Sequence, residues 1–98
     1  MIRLNLTPDW TFTVSTRLIP HGKNEKAEVQ ILFEDTGVGI PRENLPRIFN
    51  PFFSTRSDGT GLGLSITKNI LEQHGGQIGV ESQVNVGTQF TITLPITE

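Results

Sequence analysis

The residues with the clearest chemical meaning are three glycines at every second position, Gly59, Gly61 and Gly63, which run directly into a predicted amphipathic helix. Backbone N–H groups at a helix N-terminus have no intrahelical partner, and glycines leave them uncovered, so such a segment can bind anionic oxygens. A nucleotide phosphate is the natural ligand. Because glycine clusters also form ordinary loops, this interpretation depends on other residues that point to the same pocket.

A carboxylate and a hydroxyl are predicted to share the buried face of a sheet. Val29, Ile31 and Phe33 mark that face of one strand, and the same alternation puts Asp35 on it at the strand's C-terminal end. A carboxylate in such a place is costly unless it has a dedicated partner. The same argument puts Thr88 on the core face of the last strand. The carboxylate of Asp35 and the hydroxyl of Thr88, in an apolar crevice, can recognise an exocyclic amino group by hydrogen bonds. Adenine carries such a group.

Gly37 and Gly39 follow this carboxylate and leave room for a flat ligand to lie close to the backbone. The alternative is that Asp35 caps a turn and that the two glycines serve only tight backbone geometry. The segment alone leaves both interpretations open.

Three phenylalanines lie beside a polar loop over residues 54–60 that we expect to be mobile. For Phe49 we favour plain core packing. For Phe52 and Phe53, at the root of the loop, a role in anchoring a lid is equally reasonable. Arg56 can reach phosphate oxygens from the loop, although an isolated loop arginine is usually solvated.

The two histidines are predicted to be structural, because neither has a second ligand or a Ser/Asp partner at metal or triad spacing. His21 lies in a turn. His74 lies in the last turn of a helix, where a cationic ring complements the helix dipole.

The elements that position these residues follow from apolar periodicity. We predict about four strands, one short helix that tolerates Pro46 only near its start, and one long helix ended by a Gly-Gly pair. In the long helix we expect Leu62, Ile66 and Ile70 in the core, with Leu64 and Leu71 widening the same apolar stripe. This content suits a sheet with helices packed on one face. The strands are predicted at residues 10–18, 29–34, 77–82 and 88–96, and the helices at 41–49 and 62–74.

Composition narrows the functional classes. The chain has 98 residues, a formal net charge of −2 and no cysteine. We therefore expect one domain, no nucleic-acid partner, no disulfide and no thiolate metal site. No apolar run approaches the roughly 20 residues that span a bilayer, and no signal peptide is evident, so we expect a soluble, cytoplasmic domain.

Three motifs in order resemble the G1, F and G2 boxes of sensor histidine kinases. They are Asp-Thr-Gly-Val-Gly-Ile at residues 35–40, Phe-Asn-Pro-Phe-Phe-Ser-Thr at 49–55, and Gly-Thr-Gly-Leu-Gly-Leu-Ser-Ile at 59–66. A Gly-Gly pair before a strand and Gly-Thr-Gln-Phe at 87–90 also look like the end of that ATP-binding domain. The resemblance covers roughly residues 28–96, and three boxes at the right spacing are far more specific than one.

The resemblance implies an α+β fold of the Bergerat type, a two-layer α/β sandwich with a mixed sheet and helices on one face. It implies that Asp35 accepts from the adenine amino group, that Thr88 supports the adenine site, and that residues 54–60 form an ATP lid. The implied ATP-binding positions are Asp35, Gly37, Gly39, Ile40, Phe52, Phe53, Arg56, Gly59, Thr60, Gly61, Leu62, Gly63, Leu64 and Thr88.

Two parts of the family pattern are not found. Residues 1–9 do not resemble the N box, whose asparagine holds Mg²⁺, and no dimerisation helix carries a phosphoacceptor histidine. We therefore expect an N-terminally incomplete domain that is inactive alone. Its intact parent uses ATP and Mg²⁺, contains the dimerisation and phosphoacceptor domain, and passes the phosphoryl group to a response regulator. A membrane-anchored parent and a soluble parent are both compatible with this cytoplasmic domain.

Two alternatives remain open. One is an ATPase of the gyrase, Hsp90 or MutL kind, against which the phenylalanine box argues. The other is a folded or partner-binding module that binds no nucleotide. Because a missing first helix uncovers apolar sheet surface, we also expect self-association.

Overall fold

The computed structural model describes residues 2–7, 10–20, 27–53 and 63–96. Within these ranges the chain forms five strands and two helices, and neither helix is long and apolar enough to cross a membrane. In chain order the elements are β1 (Ile2–Thr7), β2 (Trp10–Ile19), β3 (Glu28–Asp35), a 3₁₀ helix (Arg42–Arg47), α1 (Gly63–Gln73), β4 (Gln77–Gln83) and β5 (Gly87–Pro95).

The strands form one sheet in the order β1-β2-β3-β5-β4. The strands predicted at residues 10–18 and 29–34 are confirmed as β2 and β3, which pair antiparallel, and both predicted C-terminal strands and the two helices are also confirmed. The fold class is confirmed as well, but the expected mixed sheet is wrong for the described strands, because all four pairings are antiparallel. The connection through the helices returns β4 parallel to β3, and β5 then inserts between these two strands.

The first strand, β1, was not among the four predicted strands. It pairs antiparallel with β2, and its register shifts between Asn5 and Thr7. Its sequence does alternate, with Ile2 and Leu4 on either side of Arg3. Six residues of alternation at a chain end are a weak signal, and only the partner strand makes the extended conformation favourable.

Apolar side chains meet in rows across one face of the sheet, as the alternation predicts. Val14, Phe33, Phe90 and Val80 are directly opposite one another on β2, β3, β5 and β4. Phe12 lies one row further along and stacks on Phe33, with ring centroids 6.3 Å apart. Cross-strand pairs of this kind stabilise the sheet and hold its register.

Helix α1 contacts β4, and only the Leu64 and Leu71 part of its predicted apolar stripe is confirmed as buried or half-buried. Leu71 is buried and Leu64 is half-buried, whereas Ile66 and Ile70 are each 51% exposed, so their assignment to the core is wrong. Leu64 and Leu71 lie two turns apart on one side of the helix, and the Ile66–Ile70 stripe is turned away from it by more than about 100°. Leu62 lies outside the described residues.

The end of α1 is a Schellman motif. Gly76 N–H donates to the Leu71 carbonyl at 2.7 Å, and Gly75 N–H donates to the Glu72 carbonyl at 3.0 Å, with Gly75 at φ +75°. These two bonds satisfy carbonyl groups that the helix itself leaves free. The predicted helix end at the Gly-Gly pair is therefore confirmed. The ring of His74 also bonds the Ile70 carbonyl, at 2.7 Å.

Gly76 is expected to tolerate no side chain. A Cβ there would lie 2.7 Å from the Thr93 carbonyl oxygen and 2.8 Å from a methyl carbon of Leu94, so helix and sheet would have to separate. We expect Gly76→Ala to lower the free energy of unfolding by about 1–3 kcal/mol, the usual cost of overpacking. Urea denaturation followed by circular dichroism measures this change.

Gly79→Ala is the matched control on the neighbouring strand, because a Cβ at Gly79 would meet nothing within 4 Å. Alanine is favoured over glycine within a strand by roughly 0.5–1 kcal/mol, so this variant should be unchanged or slightly more stable. Equal losses in the two variants would contradict the close packing of α1 against β5.

Candidate functional site

Asp35 and Thr88 lie directly opposite each other at the end of β3 and the start of β5. Asp35 is also paired with Phe12 of β2, so its surroundings on the core face are partly apolar. Its Oδ1 atom accepts a hydrogen bond from Gly37 N–H at 2.9 Å. Among the residues that the structure describes, none donates to the other oxygen, Oδ2. Within the described ranges, Oδ2 of this half-buried carboxylate is therefore an acceptor without a donor.

Ser82 of β4 connects the parts of this site. Its Oγ accepts a hydrogen bond from Ile40 N–H at 2.7 Å, lies 2.8 Å from Thr88 Oγ1 and donates to the Gly87 carbonyl at 3.0 Å. Sequence analysis missed Ser82. The signal was present, because Ser82 continues the alternation of the half-buried residues Ile78 and Val80.

Glycines allow the segment after β3 to lie against the turn between β4 and β5. Gly39 has φ +77°, and a Cβ there would lie 2.7 Å from the Gln83 carbonyl carbon. Gly87 has φ +146°, and a Cβ there would collide with the backbone carbonyl of Asp35. These two glycines therefore serve the close approach of two backbone segments. At Gly39 this is the backbone-geometry interpretation that the sequence left open.

Gly37 has a different environment. A Cβ there would lie 3.1 Å from Asp35 Oδ1 and 3.5 Å from the ring of Trp10. Gly37 therefore packs closely between the carboxylate and the Trp10 ring, and a side chain there would press on the Asp35 oxygen that Gly37 N–H binds.

The phenylalanines of residues 49–53 separate into two kinds. Phe49 is half-buried and has Lys68 Nζ 5.4 Å from its ring centroid, a cation–π distance. Phe53 is also half-buried. Phe52 is 74% exposed and has φ +68°, a backbone conformation that costs a non-glycine residue about 1–2 kcal/mol. Phe52 is therefore not explained by core packing.

Most of the predicted phosphate-binding segment lies outside the described residues. This applies to the lid at 54–60 and to Arg56, Gly59, Thr60, Gly61 and Leu62. Gly63 and Leu64 are described and begin α1, and a Cβ at Gly63 would meet nothing within 4 Å. The predicted helix is thus confirmed from Gly63 onward, and the role of its first residues toward phosphate stays a prediction.

A cavity of about 710 Å³ lies at the same end of the sheet and includes atoms of Asp35 and Thr88. Most of its other side chains belong to the opposite face of the sheet. They form one polar row across the five strands, since consecutive members are paired in the register: Arg3, Thr13, Glu34, Gln89 and Glu81. The side chains of this row are polar or charged, whereas Asp35 is paired with Phe12 on the core face, so the core-face side of Asp35 is the better candidate for a base.

No metal centre is formed by the part of the chain that the structure describes, because no three His, Cys, Asp or Glu side chains cluster there. No described residue is therefore assigned as a Mg²⁺ ligand.

The chain has clear relatives among known proteins. Residues 6–98 match the family described as histidine kinase-, DNA gyrase B- and HSP90-like ATPase. The sensor histidine kinase ZraS of Escherichia coli K12 is 50% identical over 70 residues, which are 71% of this chain and 15% of ZraS. The sensory histidine kinase/phosphatase NtrB of Vibrio alginolyticus is 46% identical over 88 residues, 86% of this chain and 25% of NtrB.

Solved structures give the same result. The catalytic domain of the histidine kinase ThkA, in a nucleotide-free form, has a TM-score of 0.62 and 42% identity over 72% of this chain and 47% of that one. The mycobacterial sensor histidine kinase MprB has a TM-score of 0.64 and 30% identity over 84% of this chain and 57% of that one.

The chain spans only 15–25% of the length of these curated relatives and about half of the solved domains. The family match nevertheless covers nearly all residues of this chain, and its sheet with α1 matches the fold of histidine kinase catalytic domains. The chain therefore belongs to the histidine kinase-, DNA gyrase B- and HSP90-like ATPase family.

Proposed function

We propose that this chain is the ATP-binding part of a two-component sensor histidine kinase. The observation that carries the proposal is the pairing of Asp35 with Thr88 on the core face at the end of the sheet. The family match and the sensor kinases among the relatives support it.

The chemistry of Asp35 suits an adenine base. Gly37 N–H occupies Oδ1 and holds the carboxylate in one orientation, so that Oδ2 is left to accept from an amino group. Adenine carries a two-proton donor at N6, whereas guanine and hypoxanthine carry an acceptor oxygen at the equivalent position. A charged acceptor in a half-apolar crevice makes a stronger hydrogen bond than a neutral one, about twofold in energy.

The phosphate end of the nucleotide is assigned to the segment that leads into α1. Uncovered N–H groups of Gly59, Gly61 and Gly63 at the helix N-terminus would bind phosphate oxygens, helped by the positive end of the helix dipole. In this proposal Arg56 and the phenylalanines Phe52 and Phe53 belong to a lid over the nucleotide. The exposure and left-handed backbone of Phe52 support a role outside the core, because strained backbone is characteristic of functional sites.

The reaction we propose for the parent protein is transfer of the ATP γ-phosphoryl group to a histidine and then to a response-regulator aspartate in the cytoplasm. In phosphoryl transfer the protein mainly positions phosphates and offsets their charge, with Mg²⁺ neutralising the phosphate oxygens. Within this division of work the present chain supplies the base and phosphate contacts, and the nucleophile comes from the dimerisation and phosphoacceptor domain. We therefore expect the chain alone not to phosphorylate itself.

Two other functions have weaker support. An ATPase of the gyrase, Hsp90 or MutL kind belongs to the same family, but each relative compared above is a histidine kinase. Partly burying the carboxylate of Asp35 costs free energy, because its second oxygen loses water. A module that binds no nucleotide gives no functional reason for this cost. A rise in melting temperature with ADP separates this module from the proposed function.

The adenine contact is tested by Asp35→Asn. The amide is neutral and can turn its own NH₂ group toward the adenine amino group, so we expect ADP affinity to fall by about tenfold or more, the loss that a charged hydrogen bond of 1.5–3 kcal/mol predicts. Isothermal titration calorimetry with ADP measures the change.

Glu34→Gln is the matched control, because it removes the same charge from the adjacent residue. Glu34 is exposed and lies on the opposite face of the sheet. Its loss should alter ADP affinity by less than about twofold, since exposed charges act weakly through water. Equal affinities in wild type and Asp35→Asn would remove Asp35 from the adenine site.

We also propose that the chain associates with a second copy through the stripe of Ile66 and Ile70. Each of these side chains is 51% exposed on the side of α1 away from Leu71, and only Ile48 and Leu71 are deeply buried apolar residues in the described ranges. An apolar stripe can meet the same stripe of a second copy in an isologous contact.

We expect the average molar mass in light scattering to rise with concentration, and the double variant Ile66→Gln, Ile70→Gln to suppress this rise. Ile66→Leu with Ile70→Leu keeps the stripe apolar and should preserve the association. A wild-type chain that stays monomeric at every concentration would contradict the proposal.

A further inference from the structure

Ser82 makes as many hydrogen bonds as a serine hydroxyl can make. The Oγ atom has one proton and two lone pairs. Ile40 N–H lies at 2.7 Å and can only donate, while the Gly87 carbonyl lies at 3.0 Å and can only accept. The first contact therefore occupies one lone pair of Ser82, and the second uses its proton.

This count fixes the direction of the bond between Ser82 and Thr88. Their hydroxyl oxygens lie 2.8 Å apart, and geometry alone would allow either to donate. Because the proton of Ser82 points to Gly87, its one remaining lone pair must accept, and Thr88 must donate. The Thr88 proton is then held on the β4 side, and the Thr88 oxygen offers only lone pairs to the rest of the site.

Thr88 is only 8% exposed and directly opposite Asp35, so these lone pairs are part of the crevice and not of the open surface. Asp35 and Thr88 together form a pair of acceptors with no proton of their own to offer. A group that bonds both must carry two donors, as an amino group or a bridging water does.

We propose that Ser82 is a positioning and specificity residue: by holding the Thr88 hydroxyl as an acceptor, it makes the site select a 6-amino purine over a 6-oxo purine. The choice of a purine as the ligand rests on the proposed function. The direction of the Thr88 hydroxyl rests only on the hydrogen bonds of Ser82. Without Ser82 the Thr88 hydroxyl can rotate, donate to Asp35 or to a purine 6-oxygen, and so relax the selection.

The hydroxyl direction is testable in the chain without nucleotide. The Thr88 hydroxyl proton should exchange slowly with water and show a nuclear Overhauser contact to the Ser82 β-protons. In Ser82→Ala the hydroxyl is free to turn toward Asp35, so the contact to residue 82 should be lost and a contact to the Asp35 β-protons should replace it. A Thr88 hydroxyl proton with no Overhauser contact to Ser82 in the wild type, or with unchanged contacts in Ser82→Ala, would overturn the inference.

The selection is tested by titrating ADP and inosine diphosphate, which differ at the purine 6-position, into wild type, Ser82→Ala and Ser82→Thr. We expect the preference for ADP over IDP, measured as the ratio of their affinities, to fall by about tenfold in Ser82→Ala. This is the effect of losing one hydrogen bond that distinguishes the two bases. Ser82→Thr keeps the hydroxyl and should restore most of the ratio. Ser15 lies on β2, on the face of the sheet opposite to the site, so Ser15→Ala makes the same chemical change away from the site and should leave the ratio unchanged.

The outcomes separate the two proposals. If both affinities fall equally in Ser82→Ala, Ser82 is merely structural and the inference is wrong. If wild type binds neither nucleotide, the proposed function fails together with the selection, and the Overhauser measurement still decides whether Ser82 directs the Thr88 hydroxyl.

Discussion

The structure depends on the close approach of two backbone segments, the stretch after β3 and the turn between β4 and β5. Gly39 and Gly87 permit it, because a side chain at either position would collide with backbone atoms of the other segment. The approach is then held by hydrogen bonds from Asn85 N–H to the Val38 carbonyl at 2.8 Å and from Ile40 N–H to Ser82 Oγ. These contacts hold the end of β3, with the Asp35 carboxylate, beside the hydroxyls of Ser82 in β4 and Thr88 in β5.

The sheet holds this junction with very little covering. Both helices contact β4, one of the two outer strands of the described sheet, and the apolar rows on β2, β3 and β5 are half-buried. Register is therefore maintained mainly by cross-strand pairs such as Phe12 on Phe33, rather than by a deep core. A site at the end of strands suits this architecture, because its geometry is set by the ladder itself.

Alternation along single strands was sufficient to predict that Asp35 and Thr88 share a face, because a side chain's face follows from a period of two. That they are exact partners depends on the register between strands, which the sequence of either strand alone does not contain. The alternation of β4 does put Ser82 on the core face, but its contact with Thr88 depends on the register between β4 and β5. The predicted apolar stripe of α1 was too wide. It included both Leu71 and Ile66, which are equally apolar, and only the position of β4 decides which of them is buried. Residues 54–62 lie outside the described ranges, so their phosphate contacts remain predictions from the glycine spacing.

The central claim is that a nucleotide base binds on the core face of the sheet beside Asp35. An amide NMR titration with ADP tests it most directly, because each residue reports its own surroundings. The account predicts that the signals of Gly37, Gly87 and Thr88 shift together with a single affinity, while those of Gln30 and Thr93, at the other end of β3 and β5, stay in place. Shifts confined to the polar row of Glu34, Gln89 and Glu81, or no shifts at all, would contradict it.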